Sequence, residues 1–224
     1  MLIIALDPPF GPNGEYDEVY VVKETSNYAA GYKVGIPLVL GSGLEAIQAV
    51  KKASGKPVIA DFKLADIGDI MAEIARKLAK SGADSIVVHG FIGVGNGVDK
   101  VVSEARKLGV GVILVVSMSH RGSEKYIDKH FEEMLNDALS LEVHGIVVPA
   151  TRPWIIERAR KAAGSSLKIY APGIGVQGAR PGTALCAGAD YEIVGRFITR
   201  SSSPGESARE VYKSQLESVR ACRG

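Results

Sequence analysis

Lys56-Pro57-Val58-Ile59-Ala60-Asp61-Phe62-Lys63-Leu64-Ala65-Asp66-Ile67 begins as an apolar strand and ends with three charges, Asp61, Lys63 and Asp66, inside six residues. Alternation along a strand puts Asp61 and Lys63 on one side and Phe62 on the other. Val58-Ile59-Ala60 reads as buried, so the charges stand where a buried strand emerges. Charge in such a place is costly unless it is paired or takes part in chemistry. The segment is therefore either a salt-bridged strand end or part of a functional site, and its surroundings decide between the two.

The same apolar-strand grammar recurs on both sides of it. Leu2 to Leu6 is a fully apolar run stopped by Asp7-Pro8-Pro9, and Ala29 to Val34 is a second strand. Ala83 to His89, Val110 to Val116, Gly145 to Val148, Leu167 to Ala171 and Tyr191 to Gly195 complete eight. Helices are predicted between them, over about 15 to 26, Ser42 to Ala53, Asp66 to Lys80, Gly97 to Leu108, Lys129 to Ser140, Pro153 to Ala163 and Pro181 to Ala187, with a last one over Pro204 to Ala221. In the Asp66 helix, Ile70, Ile74 and Leu78 are expected on one buried stripe. Continuous apolar strands alternating with helices imply a parallel sheet covered on its outer face. Eight βα units in this length match a single-domain α/β fold, the (β/α)8 TIM barrel, over residues 1–224. An open doubly wound sheet is the alternative, but Asp7-Pro8-Pro9 is no glycine fingerprint after strand one.

Composition narrows the class. A chain of 224 residues with 46% hydrophobic and 23% charged residues is ordinary for a globular protein, and a net charge of +2 argues against a broad nucleic-acid-binding surface. Cys186 and Cys222 stand in unrelated contexts, so neither a disulfide framework nor a zinc site is expected. Met1 to Asp7 is too short and too soon charged for a signal peptide, and no apolar run approaches membrane-spanning length. The expected location is the cytoplasm, without membrane contact.

Active sites of such barrels gather at the C-terminal ends of the strands. Polar residues collect there: Asp7 after strand one, Lys33 on strand two, Asp61 and Lys63 on strand three, His89 on strand four, Ser117 and Ser119 after strand five, and Arg196 after strand eight. Singly, each has a structural reading; His89 reads more readily as a satisfied core histidine than as a catalyst. Pro172-Gly173-Ile174-Gly175-Val176-Gln177-Gly178 and Gly195-Arg196 form a second constellation, backbone N–H groups beside a forked cation, which suits a phosphate dianion. The glycine-rich stretch from Gln177 to Gly188, with Arg180, is a candidate lid.

These segments resemble the orotidine 5′-monophosphate decarboxylase family in its compact microbial form. The resemblance is carried by Ala5-Leu6-Asp7, Lys33-Val34-Gly35, Asp61-Phe62-Lys63-Leu64-Ala65-Asp66-Ile67, Val88-His89-Gly90, Met118-Ser119-His120, Pro172 to Gly178 and Val194-Gly195-Arg196, over nearly the whole chain. The DxKxxD pattern is shared with sugar-phosphate decarboxylases and synthases of a wider superfamily. The Met-Ser-His and Pro-Gly-Ile-Gly-x-Gln-Gly segments favour the nucleotide enzyme. Arg121, where many relatives carry proline, and Ile70, in place of an expected threonine, depart from the pattern.

The resemblance implies conversion of orotidine 5′-monophosphate to uridine 5′-monophosphate and CO2 without metal or organic cofactor, by a homodimer with shared sites. Lys33, Asp61, Lys63 and the partner's Asp66 would form an alternating charge network, and Lys63 would stabilise and protonate the C6 carbanion. Asp7 and Lys33 would hold the ribose, Ser119 the pyrimidine, and Gln177 would link ring and phosphate. Arg196, with Pro172, Gly173, Gly175 and Gly195, would hold the phosphate. Two other readings compete: a magnesium-dependent sugar-phosphate lyase, which needs an acidic metal ligand near strand two where this chain has Lys33, and a nucleotide-binding barrel without catalysis.

Overall fold

The computed structural model describes residues 1–7 and 17–223. Pro8, Pro9 and the first residues of the helix expected over 15–26 lie outside the described residues. Eight parallel strands close into a barrel in chain order: β1 (Leu2–Leu6), β2 (Gly31–Gly35), β3 (Val58–Leu64), β4 (Ser85–His89), β5 (Gly111–Val115), β6 (Gly145–Val147), β7 (Lys168–Pro172) and β8 (Tyr191–Val194), with β8 pairing back onto β1.

Alternation along each strand divides the core into two layers. Ile3, Ala5, Ile59, Val87, Ile113, Val115, Val147, Tyr170 and Ile193 fill the barrel interior. Their neighbours Leu2, Ile4, Leu6, Val58, Ala60, Ile86, Val88 and Leu114 face outward into a larger shell beneath the helices. Each fully buried aliphatic side chain of that shell contributes about 1.5–3 kcal/mol of transfer free energy. Among the described residues both faces of the strands are covered, which is why the strands read as continuous apolar runs.

The helices are α1 (Glu18–Thr25), α2 (Ile36–Ser42), α3 (Glu45–Ser54), α4 (Gly68–Lys80), α5 (Val98–Lys107), α6 (Gly122–Lys125), α7 (Phe131–Ser140), α8 (Pro153–Ala163), α9 (Thr183–Cys186), α10 (Arg196–Thr199) and α11 (Pro204–Arg223). Asp17 caps α1 by accepting the N–H of Tyr20 at 2.8 Å, and Pro153 starts α8 where a missing N–H costs nothing. The short α2, α6 and α10 sit in stretches expected to be loops.

Two expectations need correction. In α4 the buried face is Gly68, Met71, Ala72, Ala75 and Leu78, whereas Ile70 is 47% exposed and Ile74 only partly covered. The helix carries apolar residues on two faces, and small Ala72 and Ala75 let the Met71–Leu78 face lie closest to the sheet. The cysteines are also not independent: Cys186 and Cys222 form a disulfide with Cα atoms 6.0 Å apart, across a sequence separation of 36. Docking of α11 against α9 brings them together, and no local pattern announces it. Among the described residues no helix is long and apolar enough to cross a membrane.

Candidate active site

At the C-terminal mouth of the barrel the inward positions of three successive strands change from apolar to charged. β1 gives way to Asp7, β2 carries Lys33 inward, and β3 follows Ile59 with Asp61. Strand pairing sets Lys33 beside Ala5 and Ile59, and Gly35 beside Asp61. The result is a row of alternating sign. Lys33 Nζ lies 3.2 Å from Asp7 Oδ2 and 3.0 Å from Asp61 Oδ2, and Lys63 Nζ donates to both Asp61 oxygens at 2.8 Å. Gly35 makes room for it, because an added Cβ there would stand 2.4 Å from Asp7 Oδ1.

Lys33 is 8% exposed and Asp61 9%. Burial alone would lower the pKa of the Lys33 ammonium, but the Asp61 and Asp7 charges outweigh it and hold that pKa above the ordinary lysine value. Burial would likewise raise Asp61; the ammonium groups of Lys33 and Lys63 instead pull its carboxyl down to about 2. The centre of the row is therefore locked in its ionised form.

Lys63 reaches Asp61 by an irregular route. The pairing of β3 with β4 shifts register between Ala60 and Leu64, and Lys63 has φ +45°. A non-glycine residue there costs on the order of 1–2 kcal/mol, and such strain gathers at functional positions. Asp61 and Lys63 share a side, as expected, but through this register shift rather than through regular alternation, and Phe62 packs outward among the helices. Asp66 does not join them. It is exposed, accepts the N–H of Ile67 at 2.7 Å, and lies outside the cleft of its own chain.

The row forms one wall of a cleft of about 470 Å³, whose lining includes Asp7, Lys33, Asp61, Lys63, Ser119, Pro172, Gly173, Gln177, Gly195 and Arg196. Ten of the twelve residues assigned a catalytic or binding role thus meet in one cavity; Asp66 and Gly175 are outside its lining. Two amides of the glycine-rich loop are not free: Gly175 N–H donates to Ala179 O at 2.9 Å and Gly178 N–H to Gly175 O at 2.8 Å. The exposed Arg196 guanidinium and the loop's remaining surface face the cavity instead.

Sequence reasoning missed three contributors. Arg200 also lines the cleft, and its i, i+4 spacing from Arg196 was the available signal. With Lys33, Lys63, Arg196 and Arg200 against Asp7 and Asp61, the lining carries four cations and two carboxylates, a surplus of two positive charges that matches a phosphate dianion. Arg152 and Asp128 were also missed. The buried Arg152 bonds Asp128 and the carbonyl of Met118, while Asp128 Oδ1 accepts from Ser117 at 2.7 Å and Ser123 at 2.6 Å. Ser123 Oγ in turn accepts the N–H of Met118 at 3.0 Å, so both backbone groups preceding Ser119 are fixed. His89 lies outside the cleft lining, its ring 4.7 Å from that of Phe91 and its buried Nδ1 without a partner among the described residues. Burial, reinforced by Lys63, pushes its pKa below the ordinary histidine value.

Comparison with known proteins gives the family. Residues 1–211 match the model of the orotidine 5′-phosphate decarboxylase / HUMPS family. The orotidine 5′-phosphate decarboxylase of Pyrococcus abyssi is 40% identical over 95% of this chain and 97% of its own length, and that of Thermococcus kodakarensis 39% identical over 97% and 98%. Among solved structures, the orotidine 5′-monophosphate decarboxylase of Methanocaldococcus jannaschii complexed with inhibitor BMP superposes with a TM-score of 0.87 at 36% identity, covering 96% of this chain and 97% of that one. The Sulfolobus solfataricus enzyme gives 0.86 at 34% identity, covering 97% and 98%. A closed eight-stranded barrel, a charge row at its mouth and near-full-length similarity lead to one conclusion: the chain belongs to the orotidine 5′-phosphate decarboxylase / HUMPS family.

Proposed function

We propose that this chain is a single catalytic domain that decarboxylates orotidine 5′-monophosphate to uridine 5′-monophosphate and CO2, a step of pyrimidine nucleotide synthesis, in the cytoplasm. The observation that carries the reading is the Asp7–Lys33–Asp61–Lys63 row opening onto a cleft that ends in Arg196. A nucleotide laid across the cleft has its phosphate at Arg196 and Arg200, its ribose at Asp7 and Lys33, and its ring between Ser119 and Lys63. Pro172, Gly173, Gly175 and Gly195 shape the phosphate end, and Gln177 bridges ring and phosphate.

Loss of CO2 from C6 leaves an electron pair on that carbon with no adjacent carbonyl to accept it. The Lys63 ammonium stabilises this charge and then transfers a proton from Nζ to C6, leaving a neutral amine that regains a proton from solvent. Asp61 holds Lys63 in place by two hydrogen bonds, and its buried negative charge also opposes the substrate carboxylate before CO2 departs. Contacts to the remote phosphate supply binding energy that holds the nucleotide in the cleft.

A homodimer completes the site in this reading. Leu40, Ile67, Ile70, Phe91 and Val94, on the segments that follow β2, β3 and β4, are all between 47% and 75% exposed. A second copy covering this apolar rim would bring the partner's Asp66 to Lys63. The direct test is the fall in absorbance as orotidine monophosphate is consumed by the purified chain in EDTA. Absence of turnover at micromolar enzyme overturns the reading, and chelator-sensitive activity on a keto-sugar phosphate would replace it.

A further inference from the structure

Gln215, Ser218 and Cys222 follow one another on α11 at i, i+3 and i+7, which places them on one helix face. All three reach the same target, the downstream end of the loop that carries Gln177. Gln215 Nε2 donates to Glu192 Oε2 at 2.9 Å, Ser218 Oγ donates to the carbonyl of Pro181 at 3.1 Å, and Cys222 is bonded to Cys186. Glu192 is fully buried on β8, and its carboxylate accepts the N–H groups of Gly182 at 2.8 Å and Ala184 at 3.0 Å where α9 begins. Gly182 sits at φ +92°, and an added Cβ would stand 2.2 Å from Ser218 Cβ, so α11 can approach this closely only over a glycine. The upstream end of the loop is held by β7, and the downstream end by this cluster.

We propose that Glu192, Gln215, Ser218 and the Cys186–Cys222 disulfide act as a redox-sensitive clasp that positions the phosphate loop, so that the state of the disulfide tunes affinity for the phosphorylated substrate while the chemistry at Lys63 is unchanged. This rests on the phosphate-site reading given above. Both cysteines are exposed, so a small thiol can reach the bond. Reduction moves two electrons and two protons from dithiothreitol to the disulfide, giving two cysteine thiols and the cyclic disulfide of the reagent. The buried Glu192 and Gln215 contacts remain, so the fold persists while the end of α11 and α9 separate more freely. In a reducing compartment the clasp stands open, and under oxidising conditions it closes.

The test compares steady-state kinetics on orotidine monophosphate for oxidised protein, dithiothreitol-treated protein and Cys222→Ser, with thiols counted by alkylation and mass spectrometry and Arg196→Ala as the control. Reduction and Cys222→Ser should each raise KM about three- to tenfold with kcat within about twofold, the signature of lost binding without lost chemistry. Reductant should do nothing further to Cys222→Ser. An unchanged KM with only a lower melting temperature makes the bond a stability staple and overturns the proposal, as does a protein whose two thiols cannot be oxidised to the disulfide. If Arg196→Ala raises KM and reduction does not, the clasp alone fails; if Arg196→Ala leaves KM unchanged, the phosphate-site reading fails and takes the clasp's role with it.

Discussion

Lys33 Nζ and Asp61 Oδ2 lie 3.0 Å apart inside the barrel mouth, on adjacent strands, with each side chain about a tenth exposed or less. Asp7 and Lys63 flank the pair and are far wetter, at 38% and 37%. The two central charges depend on each other, while the outer two can fall back on water. Asp61→Leu should therefore destabilise the fold by about 3 kcal/mol, since it leaves the buried Lys33 ammonium with the wetter Asp7 as its remaining partner. Lys33→Met combined with Asp61→Leu should recover most of that loss while turnover stays abolished. Urea denaturation of the two variants separates the cases, and an additive loss in the double variant would count against a mutually dependent pair.

The same pair sets an acid limit. A carboxyl held at about 2 in the folded chain, against 3.8 as its reference value, contributes stability that is fully present above pH 3.8 and is lost as pH falls through 2. The amount at stake is about 2 kcal/mol. Wild type and Asp61→Asn should differ in how steeply stability falls between those two pH values, with the steeper fall in wild type. Parallel acid-denaturation curves would contradict this.

In the proposed pose the Lys63 head group serves both as electrostatic partner and as proton donor at C6. Lys63→Ala removes both functions, worth about 10²–10⁴ as proton donor and about 10²–10³ as electrostatic partner, so kcat should fall by at least about 10⁴. Affinity for uridine monophosphate, measured by calorimetry, should change by less than about tenfold because the phosphate and ribose contacts remain. Equal loss of binding and turnover would move Lys63 from catalysis to recognition.

How much of this was visible in the residues depends on the range over which each feature is specified. The inward alternation Ile3, Ala5, Asp7 and Ile59, Asp61 is a period-two signal inside a single strand, and it is readable without knowing the partners. Closure into a barrel was expected from eight apolar strands each followed by a helix, a different and more repetitive signal. The face of α4 was not readable, because Ile70 and Met71 stand on different sides of one helix and both are apolar; only the sheet beneath decides between them. Met118 and Asp128 lie between β5 and α7 and Arg152 between β6 and α8, so their meeting exists only once β6 has paired with β5. The left-handed Lys63 was equally hidden, since a DxKxxD string gives no sign of the register shift that aims its ammonium at Asp61.

Ile70 and Asp66 give the last prediction. An apolar residue 47% exposed, four residues from a carboxylate that meets no cation among the described residues, makes sense if a second copy covers the one and uses the other. Ile70→Asp should shift the protein toward monomer in sedimentation velocity and reduce turnover in the same proportion. Complementation then tests the direction of sharing. Lys63→Ala and Asp66→Asn are each expected to be inactive as homodimers, but a mixed dimer has one site with both residues intact. Equal co-expression makes half of the dimers mixed, with one working site in two, so about a quarter of wild-type activity should return. If Asp66 served its own chain, every site would keep one defect and no mixture would recover activity.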